Sequence, residues 1–168
     1  MTKQLLKFGL VGGIIVSAFM CFITYFMKQN PENEPNMLVG FASMILSFSC
    51  LVYGVYQIRK QNNNQISFKQ AFKAGFLISL IISTIYVLVW LIIYYNFFPN
   101  FMEIYGEMML KNAKPEEVAK VTQDVVWMKE VYSSPFGIIA MTYVEILPFG
   151  LVVTLINAVS QSRLSKKA

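Results

Sequence analysis

AGFLISLIISTIYVLVWLIIYYNFF, residues 74–98, runs from Lys73 to Pro99 as 25 residues without one charged side chain. A helix of about 20 apolar residues crosses the hydrocarbon core of a bilayer, so this stretch decides whether the chain belongs in lipid. Buried helices of water-soluble proteins seldom reach such a length without charge. Three further runs repeat the pattern: residues 8–27, framed by Lys7 and Lys28; residues 37–58, ended by Arg59; and residues 136–160, interrupted by Glu145 alone.

Composition agrees with four spans. The chain of 168 residues has room for one domain; 56% of it is hydrophobic and 14% charged, against about a quarter charged in soluble domains. The net charge of +5 does not point to nucleic acid, because the basic residues lie between apolar runs rather than on one aromatic-rich face. Lys3 and Lys7 resemble a signal-peptide n-region, but the run behind them is too long for an h-region and no A-x-A-like site follows. The expected fold is all-α, a four-transmembrane-helix bundle, with residues 1–168 forming a single integral membrane domain.

Lys and Arg set the orientation of such a bundle. Lys3, Lys7, Arg59, Lys60, Lys69, Lys73, Arg163, Lys166 and Lys167 fall on one side with no acid among them. The other side carries Lys28 with Glu32 and Glu34, then four lysines and six acids between the third and fourth runs. Both termini are expected in the cytoplasm.

The segments between the runs have their own signals. In QNNNQISFKQAFKAGF, residues 61–76, Asn62–Asn64 favour a turn, and Ser67 with Gln70 three residues later fits a capping box. Phe68, Phe72 and Phe76 then share a helical face. Arg59, Lys60, Lys69 and Lys73 are the candidate lipid-headgroup contacts, each cation contributing about 1 kcal/mol near an anionic surface. Residues 100–134 are too long for a bare connector. Val118, Val121, Val125, Met128 and Tyr132 recur at steps of three and four, Pro115 suits a first helical position, and Phe101, Tyr105 and Met108 form an earlier stripe. An amphipathic helical hairpin is expected there, on the non-cytoplasmic side, lying over the bundle or offering a docking surface. Tyr86, Trp90, Tyr94, Tyr95, Phe97 and Phe98 read as an interfacial aromatic belt.

Little hydrophobic force joins helices in lipid, so close packing relies on small residues. Gly9, Gly13 and Ser17 supply a stripe in the first run, Gly40, Ser43, Ser47, Cys50 and Gly54 in the second, and Gly75, Ser79 and Ser83 in the third.

TYVEILPFGL, residues 142–151, places an acid and a proline inside the fourth run. Insertion tolerates the acid: it costs about 2.5 to 3.5 kcal/mol at a helix centre, while thirteen Leu, Ile, Phe and Val residues of that run return roughly 4 to 8. Glu145 lies about 14 Å in from the outer end at the helical rise, level with Ser17, Ser47 and Tyr86. Glu145 is therefore expected to be protonated and hydrogen-bonded to that hydroxyl layer. Pro148 cannot donate to the Val144 carbonyl, which frees an acceptor beside the acid. Glu145, Pro148, Ser17, Ser47 and Tyr86 form the candidate membrane site, structural or functional. On an ideal helix Gly150, Thr154 and Ala158 face away from Glu145, which aims the acid at a cavity or a second subunit.

Catalytic signatures are missing from the sequence. It has no histidine and no G-x-S-x-G, phosphate-binding glycine loop or paired-cysteine motif. Cys21 and Cys50 read as small buried hydrophobes. No enzyme activity, metal or cofactor is expected.

ISFKQAFKAGF, IYVLVWLIIYY, an acidic outer helix and VEILPFGL together resemble the bacterial membrane family called domain of unknown function 4199. The resemblance spans nearly the whole chain. It implies a small four-helix protein of the bacterial inner membrane and carries over no catalytic residue. Two functions stand open from the sequence. One is a non-enzymatic membrane module acting through lipid or through a membrane-protein partner, a second copy included. The other is a small proton-coupled transporter with Glu145 as its proton carrier; small multidrug exporters also have four spans and one membrane glutamate, but theirs lies in the first span and they lack a long outer hairpin, which counts against membership.

Overall fold

A computed structural model describes residues 2–30 and 37–165; Glu32, Glu34, Lys166 and Lys167 lie outside the described residues. It is 89% helix with no strand among the described residues. The helices are α1 (Thr2–Gln29), α2 (Met37–Gln61), α3 (Phe68–Asn96), α4 (Phe101–Asn112), α5 (Val118–Tyr132) and α6 (Pro135–Ser165). Four of them, α1, α2, α3 and α6, are long and apolar enough to cross a membrane.

The long helices outrun the apolar stretches at their basic ends. α1 takes in Lys3 and Lys7, α3 begins six residues before Ala74, and α6 continues to Ser165. Local chemistry fixes the α3 start: Gln70 N–H donates to Ser67 Oγ at 3.3 Å, and Ser67 N–H donates back to Gln70 Oε1 at 3.0 Å. Asn63 and Asn64 take the left-handed φ values of 52° and 58° that turn the chain just before it, a region asparagine tolerates. Phe68, Phe72 and Phe76 stack down one face as their spacing requires.

Glycines set the helix register, because a missing Cβ lets backbones approach. Cβ atoms at Gly9 and Gly13 would lie 2.6 Å and 2.5 Å from Ile81 and Ile85, so α1 runs parallel to α3. Ser47 Oγ donates to the Gly12 carbonyl at 2.7 Å, and Phe8 packs on Tyr53, so α2 runs antiparallel to α1. Gly75 meets Thr154, and Gly150 meets Ser79 and Phe48, so α6 runs antiparallel to α3. Gly40 departs from the expected stripe, with nothing within 4 Å of its Cβ position.

Two ends follow from this register. The α2–α3 turn and the end of α6 share one, where Ile66 N–H donates to Ser165 Oγ at 2.8 Å. At the other, Lys28 reaches the Phe97 carbonyl and α4 leaves α3. α4 and α5 pack together through Gly106 against Val125, and Phe101 of α4 sits edge-on to Trp90 of α3 at 4.8 Å. α5 begins at Val118, three residues after Pro115, which occupies the preceding turn.

Burial is inverted relative to a water-soluble bundle. Ile14, Ile45, Ile92 and Ile156 are 64%, 63%, 55% and 67% exposed, while Ser47, Ser79, Ser83 and Thr154 are fully buried. In lipid an apolar exterior is at no disadvantage, and small polar residues inside permit close backbone contact. Cys21 corrects the sequence reading, since it is exposed on the outer surface; Cys50 is half-buried.

Candidate functional site

α6 passes through Pro148 without interruption. Its packed face carries Ile146, Gly150, Thr154 and Ala158, and Glu145 points elsewhere. A cavity of about 530 Å³ receives it. Met20 and Met27 of α1, with Gly40 and Met44 of α2, form one side of this chamber. Tyr86 and Trp90 of α3, Phe101 of α4 and Tyr132 of α5 form the other, with Phe149 beside the acid on α6. Glu145 is exposed on this wall.

The expected hydroxyl layer is brought together in part. The Tyr86 hydroxyl donates to Glu145 Oε1 at 3.2 Å. Ser47 instead gives its proton to the Gly12 carbonyl, since α2 presents that face to α1. Ser17 is buried without a hydrogen bond among the described residues and is absent from the chamber wall. Pro148 is exposed one turn from the acid. Thr24 and Ser43, which do line the chamber, bond carbonyls of their own helices, Met20 and Gly40.

The aromatic belt also needs correction. Trp90 and Phe98 are buried with Met20, Met27 and Ile138 in a second core, and only Tyr95 and Phe97 of the outermost residues face outward. The cause is α4, which folds Phe101 back over them. The spacing puts Tyr132 on one helical face with Val125, and nothing in the sequence signals its position near Glu145. Tyr132 accepts a hydrogen bond from the Trp90 indole and lies within electrostatic reach of the acid.

At the opposite end, Lys73 lines a second cavity of about 460 Å³ with Gln61, Asn62 and Gln70. Arg59, Lys60 and Lys69 are not on its wall. The Arg59 guanidinium lies 5.5 Å from the Tyr56 ring centre, and its Nε and Nη1 are buried without a protein partner among the described residues. The four cations share an end of the bundle without converging on one point.

Fold and site define a polytopic helical membrane protein with an acid-bearing cavity. The chain belongs to the family described as protein of unknown function DUF4199, whose model matches residues 7–160. No curated protein and no solved structure matches it.

Proposed function

We propose that the chain is a non-enzymatic module of the bacterial inner membrane that works by binding at the Glu145 chamber. Both termini face the cytoplasm and the α4–α5 hairpin covers the outer end. Charge supports this orientation: every described cation at the α2–α3 end lacks an acid near it in sequence, while Glu103, Glu107, Glu116, Glu117, Asp124 and Glu130 all belong to the α4–α5 segment, and basic loops stay inside. The lipid bilayer is the surrounding partner, and the exposed side chains of Val126 and Trp127 on α5 give the hairpin a face for a membrane-protein partner. The chamber carries the proposal, because a structural acid would be enclosed by its helix neighbours rather than set against 530 Å³ of space.

The same chamber favours a second reading, in which Glu145 loads and releases a proton as the cap moves. Proton-driven flux in proteoliposomes separates the two. Native protein should show none if it is a binding module. Flux that disappears in Glu145→Gln, with both proteins equally folded, would establish the carrier and displace the first reading.

A further inference from the structure

Among the described residues, the chamber wall presents one carboxylate and no lysine or arginine. The same wall carries Tyr86, Trp90, Phe101, Tyr105 and Tyr132, with methionines from α1 and α2, and of these rings Tyr86 touches the carboxylate directly. Ring faces carry negative electrostatic potential and attract cations, tryptophan most strongly. We propose that the chamber binds a lipophilic organic monocation, a quaternary or tertiary ammonium or phosphonium with apolar substituents, held by Glu145 and these rings. This rests on the reading of the chamber as a binding site and names its occupant.

Other occupants fit the chemistry less well. An anion would meet the carboxylate and electron-rich rings without a compensating cation. A hard metal ion requires a shell of about six oxygens, rich in carboxylates and carbonyls, whereas the described wall offers one carboxylate and otherwise only the hydroxyls of serine, threonine and tyrosine. A neutral apolar molecule would draw on neither the acid nor the potential of the rings. The volume lies within the range of about 300 to 1,000 Å³ typical of small-molecule sites, and the apolar wall suits a ligand whose charge is shielded by its own substituents. Trp90 is tethered by its indole bond to Tyr132 and by its edge contact with Phe101, so part of the cage is preorganised.

The test is equilibrium binding to the detergent-purified full chain, read by tryptophan fluorescence, with two ions of nearly the same size and opposite charge. Tetraphenylphosphonium should bind saturably and tetraphenylborate at least tenfold more weakly. Glu145→Gln should weaken phosphonium binding by about tenfold or more, as should Gly40→Leu, which adds a bulky side chain on the chamber wall at a position with no neighbour within 4 Å and leaves the acid in place. Circular dichroism and thermal midpoints confirm that each variant is folded. Equal binding of both ions, or undiminished phosphonium binding in Glu145→Gln, overturns the proposal. If only the neutral dye N-phenyl-1-naphthylamine binds, and Gly40→Leu blocks it, the chamber stands and the cation falls. If neither ion nor the dye binds, the chamber reading itself falls.

Discussion

The Tyr86 hydroxyl donates to Glu145 Oε1 across 3.2 Å, linking α3 to α6 at the wall of the chamber. Hydrogen bonds between helices in lipid contribute about 0.6 kcal/mol on average and about 1.7 at most, because the unfolded chain in the membrane also finds partners. A double-mutant cycle of Tyr86→Phe and Glu145→Ala, measured by reversible unfolding in detergent, should give a coupling energy within that range. Zero coupling would remove the contact from the forces holding α3 against α6 and leave the acid to the chamber alone.

Gly150 and Gly40 should respond in opposite ways to the same added methyl group. At Gly150 a Cβ would collide with Ser79 Oγ and stand 2.6 Å from the Phe48 ring, both in fully buried residues. Overpacking of this kind costs about 1 to 3 kcal/mol. At Gly40 nothing lies within 4 Å, and exchanging glycine for alanine in a helix gains up to about 1 kcal/mol. Gly150→Ala should lower the thermal midpoint, and Gly40→Ala should hold or raise it. A fall at Gly40 as large as that at Gly150 would contradict the placement of Gly40 at the chamber.

Much of the architecture was legible because lipid imposes length and charge rules on single segments. The four apolar runs, the Ser67–Gln70 box and the Asn62–Asn64 turn are local features, and each appears where the spacing put it. Glu145 could be read as pointing away from the packed face of its helix, at a cavity or a second subunit, because Gly150, Thr154 and Ala158 marked that face. Its neighbours could not be read so well, because equal depth does not specify azimuth. Ser47 lies at the expected level yet faces Gly12 of α1. The roles of Trp90 and Tyr132 depend on α4 folding back over α3, a long-range event with no periodic signal.

The clasp at the opposite end is a further long-range feature, and it should outweigh the helix cap beside it. Ser165 Oγ accepts from the Ile66 N–H at 2.8 Å and donates to Gln65 Oε1 at 3.0 Å, closing the end of α6 onto the α2–α3 turn. Ile66 and Ser165 are both buried, so Ser165→Ala strands a backbone donor, at about 1 to 3 kcal/mol. Ser67 is exposed, and losing its cap should cost about 1 kcal/mol. Unfolding midpoints of the two variants should therefore fall in the order Ser165→Ala below Ser67→Ala. The reverse order would show that the turn does not depend on α6.

Tyr132, at the outer wall, gives the chamber a signature in alkali. Burial, followed by the nearby negative charge of Glu145, pushes its phenol pKa from 10.0 up to about 12, against a partly opposing hydrogen bond from the Trp90 indole. In the unfolded chain the same phenol ionises near 10. Below pH 10 both states hold the proton and the native preference for the neutral phenol is fully present. Above pH 10 the unfolded state releases its proton first, so stability falls as pH rises through the folded value. Tyr132→Phe should flatten that decline between pH 10 and about 12 relative to the native chain. The difference in absorbance near 295 nm between the two proteins should titrate with a midpoint near 12. A midpoint near 10 would mean that the hydroxyl meets water freely, and the chamber would then be open on the side where α5 is drawn as its wall.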